Sequence, residues 1–262
     1  MARRNKLWKF AQLQTFPSYY EPKALHASEV VSADGVARDL RGTWSRAHFG
    51  NDAPLTLELA CGRGEYTVAL ARAHPRRNVI GVDVKGARIY QGATAARAAG
   101  LSNAAWLRTR IEHIDRVFAV GEVAEIWITF PDPFPNSVNR RLIAPRFWTD
   151  YARLLGPGAR LHLKTDNEGL YAYAHEALLG RPVTEAHFRL AADHADVHAH
   201  DPLPHPDLAH ETYYERKHRG LGATIKWLSW TRRDTPPPSP FRHGGERPAG
   251  NENEHDPSSS PT

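Results

Sequence analysis

Residues 57–67 read Leu-Glu-Leu-Ala-Cys-Gly-Arg-Gly-Glu-Tyr-Thr, so Gly62 and Gly64 form a turn that follows an apolar run and opens an amphipathic stretch. Glycines in such a turn let the backbone approach a ligand closely and adopt dihedrals closed to other residues. The third glycine of a G-x-G-x-x-G fingerprint is missing, its place being held by Thr67, and a carboxylate, Glu58, precedes the turn. A dinucleotide site places pyrophosphate at this helix terminus; an acid there repels phosphate and suits a cation. The next apolar run ends Ile80-Gly81-Val82-Asp83, with Asp83 lying 21 residues after Gly62. That is close to the roughly 20-residue spacing of a ribose-binding acid. The two Asp83 oxygens can accept from both ribose hydroxyls; the plainer alternative is an N-cap for the following helix. A cation that carries a ribose is S-adenosyl-L-methionine, the cofactor expected here, with Glu58, Gly62 and Asp83 as its contacts.

A second constellation is the loop Phe130-Pro131-Asp132-Pro133-Phe134-Pro135-Asn136, which follows the apolar run Glu125–Phe130. Two prolines fix the backbone around Asp132, which reads either as a reactive acid or as a turn residue. Further blocks are Asn139-Arg140-Arg141-Leu142, Pro145-Arg146-Phe147, Leu161-His162-Leu163-Lys164-Thr165-Asp166-Asn167 and Thr212-Tyr213-Tyr214-Glu215. Taken in order with the glycine turn, and spanning roughly residues 55–230, these blocks resemble the bacterial tRNA (guanine-N7-)-methyltransferase family of class I S-adenosylmethionine-dependent enzymes.

The resemblance implies methylation of tRNA at guanine N7, at the variable-loop guanosine of tRNA position 46. It assigns Glu58, Asp83 and Asp132 to the cofactor, Asp132 also to catalysis, and Asp166 with Thr212, Tyr213, Tyr214 and Glu215 to the substrate. Two positions depart from the family pattern. Phe134 and Asn136 stand where the family has Trp and Lys in Pro-Asp-Pro-Trp-x-Lys, leaving Asn136 as a substrate contact without a charge. A third cofactor position, commonly an acid or amide, falls on Arg110.

The implied chemistry is economical. Guanine N7 carries an in-plane lone pair and no proton, so attack on a sulfonium methyl requires no general base and positioning dominates. Positive charge leaves sulfur and appears on the purine, where carboxylates stabilise it; Asp132 is the expected one. Arg140, Arg141, Arg146 and the run Glu215–Arg219 are expected to grip phosphates, and Phe134 or Tyr213 to stack on an exposed base. Methylation of an exocyclic amine fits less well, because such sites place two prolines after the Asn or Asp, where here Asp132 has one before Phe134. The alternatives are a methyltransferase acting on another RNA base, and an RNA-binding protein or assembly factor that kept the fold without catalysis.

These residues need a frame to bring them together. Strand-like runs at 55–60, 78–84, 104–107, 124–130 and 159–164 alternate with helical stretches at 64–74, 86–99, 145–155 and 168–180. Alternation of this kind predicts an α/β fold, a doubly wound, mostly parallel seven-stranded sheet of Rossmann-like type, with ligands at the carboxyl ends of the strands. Strand character returns at 223–231. Residues 1–50 read as an irregular basic extension, with Arg3, Arg4, Lys6 and Lys9 interleaved with Trp8 and Phe10; residues 51–233 read as the catalytic domain and 234–262 as a disordered Pro/Ser-rich tail.

Composition narrows the class further. The 262 residues suit one domain, with 34 Lys+Arg against 29 Asp+Glu. Setting aside the two basic and five acidic residues after Arg233 leaves 32 against 24. A body this basic suits a polyanion such as tRNA, or serves solubility alone. The single cysteine, Cys61, excludes a disulfide framework and a cysteine-rich zinc module. The histidines of 193–210 lie in a proline-broken stretch read as a solvated loop, so no metal is expected. No run approaches the roughly 18 apolar residues of a membrane span, and the start lacks a secretory pattern. The expectation is a cytoplasmic protein, monomer or homodimer, with no membrane and no obligate protein partner.

Overall fold

The structure, a computed structural model, describes residues 2–178 and 182–240. Residues 241–262, most of the expected tail, lie outside the described residues. The first segment carries α1 (Ala2–Leu13) and three short strands, β1 (Tyr19–Pro22), β2 (Val30–Val31) and β3 (Ala37–Arg38). Then come β4 (Leu55–Leu59), α2 (Glu65–Ala73), β5 (Asn78–Asp83), α3 (Gly86–Ala98), β6 (Ala104–Arg108), α4 (Ile114–Val117) and β7 (Val123–Thr129). The chain continues through α5 (Pro145–Leu154), β8 (Leu155–Thr165), α6 (Glu168–Leu178), α7 (Pro182–His187), β9 (Phe188–His194), α8 (Tyr213–Arg219) and β10 (Lys226–Arg232).

The ten strands of the described residues join one sheet in the order β3-β2-β1-β6-β5-β4-β7-β8-β10-β9. The seven from β6 to β9 are the expected doubly wound sheet; β4 to β8 pair in parallel and β10 runs antiparallel to both its neighbours. The residues read as an irregular extension lengthen that sheet. β1 pairs in parallel with β6, Tyr19 opposite Trp106 and Tyr20 opposite Leu107. These strands are too short to show a period of two in the sequence, which hides them from pattern reading.

The central strands are buried on both faces, and period-two alternation sends their side chains to two different cores. Leu57, Ile80, Leu107, Ile126 and Ile128 face one; Val79, Trp106 and Trp127 face the other. Trp106 explains three glycines. A Cβ at Gly64 would lie 2.3 Å from its ring, at Gly92 2.4 Å and at Gly81 2.8 Å, so this indole fills the space beneath the glycine turn. Gly64 also has φ +68°, in the left-handed region, as the N-cap of α2.

The histidine-rich segment is packed at two points rather than wholly solvated. Val197 and Leu208 have no exposed surface, Asp207 is 1% exposed, and the stretch covers the face of the sheet beside α2. Its polar groups are paired: Asp207 takes His74 and Arg77, while Arg77 also bonds Glu125 at 2.8 Å and Glu125 bonds His162 at 3.1 Å. Burial pushes the Glu125 carboxyl up, but His162 and Arg77 more than offset this and hold it at about 2. Pairing of this kind is what allows charge to be buried, and it has no signature along the chain. No described helix is long and apolar enough to cross a membrane.

Candidate functional site

Two clefts open at the carboxyl ends of the parallel strands, where ligands of open α/β sheets bind. They share a wall made by Ala60, Phe130, Pro131 and Asp132, with Arg88 of α3 at the mouth of both. Among the described residues the three non-glycines with positive φ are Ala60 (+56°), Phe130 (+47°) and Phe134 (+39°), ending β4, ending β7 and inside the proline loop. Left-handed backbone at such residues is strained and concentrates at ligand sites.

The first cleft, about 440 Å³, includes Asp83, Val84, Arg110, Ile111, Glu112 and Phe134. Asp83 ends β5 and its two oxygens receive the Gly62 N–H at 2.9 Å and the Lys85 N–H at 2.7 Å. It thus ties the glycine turn to the start of α3, and its remaining lone pairs are available to ligand hydroxyls. Gly62, with φ +56°, supplies backbone rather than side chain. Arg110 lies on the rim, its side chain 62% exposed, while Glu112 stands behind it, bonded to Arg146 at 3.2 Å. The acid at this edge is therefore two residues beyond the position inferred from resemblance.

The second cleft, about 360 Å³, is lined by Glu58, Glu65, Asp132, Asp166, Thr212 and Tyr214 among others. Asp132 is exposed on the wall common to both clefts. Its loop is pinned from below by Arg141, 8% exposed, whose Nε donates to the Pro133 carbonyl at 2.8 Å and whose guanidinium lies over Tyr173. Arg141 is accordingly no phosphate contact, and Arg146 is spent on Glu112 and the Phe147 ring. Arg140 remains exposed and covers Phe134 at 4.4 Å. Asn136 is exposed on the loop and lines neither cleft.

Glu58 is 1% exposed and accepts from the Thr67 backbone N–H at 2.8 Å, the Thr67 hydroxyl and the Thr129 hydroxyl at 2.7 Å. It caps the first turn of α2 from beneath the cleft floor. Burial pushes its carboxyl up to about 7, against the pull of these hydrogen bonds. A cation bound above it meets a carboxylate with no basic side chain bonded to it.

The Thr-Tyr-Tyr-Glu block divides. Thr212 caps α8, its hydroxyl receiving the Glu215 N–H, and the Tyr213 N–H reaches Glu65 at the start of α2. Tyr214 faces the cleft, whereas Tyr213 lies outside it, its ring under Arg63 at 5.3 Å. Glu215 is fully buried and forms an ion pair with Lys164 of β8 at 2.8 Å; this corrects its expected contact with substrate. Lys164, equally buried, also donates to the Leu208 and His210 carbonyls at 3.1 Å. Burial lowers its pKa and the Glu215 carboxylate opposes that shift. The pair fastens the last part of the chain to the end of β8. His218, expected only as part of the phosphate-gripping run Glu215–Arg219, lines this cleft and meets Asp166; its spacing of four from Tyr214 on one helix face is the signal for that placement.

Metal-capable donors do cluster elsewhere, at His74–Asp207–His210, Glu125–His162–His205 and His198–Glu211–Glu215. All three involve the packed network or the Lys164 pair, where Arg77 and Lys164 already supply positive charge.

The methyltransferase family model Methyltransf_4 matches residues 52–228. The tRNA (guanine-N(7)-)-methyltransferase of Porphyromonas gingivalis is 44% identical over 83% of this chain and 86% of its own length. The chain belongs to this family. The enzyme of the same name from Bacteroides thetaiotaomicron is 39% identical over 87% of the chain and 85% of its own length. That from Christiangramia forsetii is 39% identical over 87% and 98%. Among solved structures, the 16S rRNA methyltransferase KamB superposes with a TM-score of 0.56 at 17% identity, covering 76% of this chain and 96% of its own. The antibiotic-resistance methyltransferase Kmr gives 0.54 at 17% identity, over 77% and 97%. These two establish the class I methyltransferase fold, and the family relatives carry the sequence match.

Proposed function

We propose that this chain transfers a methyl group from S-adenosyl-L-methionine to N7 of a tRNA guanine, the variable-loop guanosine at position 46. The observation that carries this reading is Asp132 on the wall between two clefts, one holding Asp83, the other the glycine turn with Asp166 and Tyr214. The family's relatives bear the name of this reaction.

The residues suit the cofactor. Asp83 would take the ribose hydroxyls, Ile111 and Arg110 flank the place for the base, and Gly62, bonded to Asp83 and lining the adjoining cleft, lets the backbone come close. Glu58 beneath the floor and Asp132 on the wall offer negative charge to a cation. When bound, the cofactor supplies an electrophilic methyl on a positively charged sulfur.

The chain's own part is positioning and charge. Asp132 lies where positive charge would cross from one cleft to the other, so its carboxylate stabilises the purine as it becomes cationic. Arg141 and the paired prolines hold that carboxylate in place, which converts binding into alignment. Phe130 and Tyr214 give the acceptor cleft apolar surface on which a base can stack. Arg63 at this cleft, Arg140 at its neighbour, and exposed Arg216 and Lys217 on α8 offer charge for phosphates. The reading places the enzyme in the cytoplasm, as a monomer or homodimer acting on tRNA without an obligate protein partner.

The test is methyl transfer from labelled S-adenosylmethionine to an unmodified tRNA transcript, with nucleoside analysis of the product. Label in 7-methylguanosine, lost when position 46 is changed to adenosine, supports the reading. Label in another nucleoside, or cofactor binding with no transfer, overturns it.

A further inference from the structure

Asp166 begins the loop after β8 and lines the acceptor cleft with a side chain 24% exposed. Its backbone carbonyl accepts from Lys226 at 3.3 Å, and among the described residues the one ion-pair contact of its carboxylate is His218, Nδ1 lying 2.5 Å from Oδ2. His218 is placed with unusual care for a residue near the surface. Its helix, α8, is capped by Thr212, tied to α2 by Glu65 and fastened to β8 by the buried Lys164–Glu215 pair. Tyr214, one turn earlier, has its ring centre 6.3 Å from the imidazole and lines the same cleft.

We propose that His218 is a positioning residue for acceptor recognition: it holds one oxygen of Asp166 so that the other accepts hydrogen bonds from the N1–H and 2-amino edge of guanine. The inference rests on the functional reading above and deepens it. A lone carboxylate on a loop samples several rotamers and is hydrated in each; a charge-assisted hydrogen bond to a fixed donor selects one. The chemistry then discriminates bases. Guanine presents two donors on that edge to a carboxylate, whereas adenine presents a lone pair at N1, which the carboxylate repels. Methylation at N7 leaves that edge unreacted, so the contact serves selection and alignment without blocking the nucleophile.

The experiment compares full-length wild type, His218→Ala and His218→Asn on two ligated tRNAs, one with guanosine and one with inosine at the target position. Inosine keeps N7 and N1–H but lacks the 2-amino group. Wild type is expected to prefer guanosine by about tenfold, the worth of a hydrogen bond to a charged group. His218→Ala should raise KM for tRNA about tenfold, lower the saturated rate less, and flatten the guanosine-to-inosine preference. His218→Asn, whose amide can donate from nearly the same place as Nδ1, should restore the preference in part. Cofactor binding and the melting temperature should stay near wild type in both. Should His218→Ala keep the wild-type KM and the same base preference, or lose activity only in proportion to a lost fold, the proposal fails. A wild-type reaction that yields no 7-methylguanosine would instead sink the functional reading, and this inference with it.

Discussion

The two clefts are built in different ways. The contacts expected for the cofactor come from one short stretch of chain, β4 through the start of α3, where the backbone amides of Gly62, Lys85 and Thr67 are held by two acids, Asp83 and Glu58. The acceptor cleft is assembled across the whole chain. Asp132, Asp166 and Tyr214 lie on three separate segments, and buried charged side chains bring them together: Arg141 under the proline loop and Lys164 with Glu215 beneath α8. A site made of local backbone is as stable as the sheet beneath it; a site made of distant segments is only as stable as its fasteners. Damage to the fasteners should therefore separate acceptor function from cofactor binding.

The largest effect is expected at Glu215→Ala. It leaves Lys164 buried with its charge unmatched, which costs about 3–5 kcal/mol. Chemical denaturation should show that loss, and limited proteolysis should cut first between residues 195 and 222. A paired Lys164→Met, Glu215→Leu variant should regain most of the stability, since two apolar groups replace a buried pair nearly neutrally. Equal loss in the single and paired variants would mean that α8 is not held by this ion pair.

Next comes Asp132→Ala, on the wall between the clefts. Removing a preorganised charge from the reacting centre should lower kcat by about 10²-fold, with the melting temperature unchanged, because the side chain is exposed. A fall confined to KM would assign Asp132 to binding alone. Arg141→Ala tests the same loop from below. Leaving the Pro133 carbonyl without its donor and the Tyr173 ring uncovered should cost about 1–3 kcal/mol. Transfer should drop with it while cofactor binding persists. If cofactor binding falls equally, the shared wall is one unit and the contrast between the clefts is weaker than the structure suggests.

This contrast also governs what could be read from the chain. Gly62, Glu58 and Asp83 announce themselves because turn, acid and strand end are neighbours in sequence, and Asp132 does so because prolines mark a loop. Asp166 and Tyr214 were placed through resemblance to a family, not through any local pattern. Glu215 and Arg141 carry the same letters whether they face solvent or the interior, and only the partners Lys164 and Pro133 decide. The histidine stretch is opaque for the same reason: its prolines and polar residues look solvated, yet Val197, Asp207 and Leu208 are buried against that face of the sheet. The edge strands β1 to β3 are two to four residues long, below what periodicity can register.

The smallest effect, and the one that sharpens the comparison most, concerns Glu58. Its folded pKa of about 7 lies above the ordinary 4.5, so the folded state binds a proton that the unfolded chain releases earlier. The stability this contributes is complete below about pH 4.5 and is lost as pH rises through about 7. The melting temperature without ligand should accordingly decline across that window, and Glu58→Gln, which cannot ionise, should flatten the decline. A cationic ligand reverses the preference, since it favours the carboxylate beneath it. Affinity for S-adenosylmethionine should rise with pH up to about 7 in wild type and stay level in Glu58→Gln, whereas the sulfonium-free product should show the weaker dependence. Titration calorimetry at pH 5.5 and 8 with both ligands decides this. Parallel pH profiles for the cation and the neutral sulfide would show that Glu58 only caps α2, and that the cofactor contacts, like those of the acceptor, rely on acids for architecture as well as for charge.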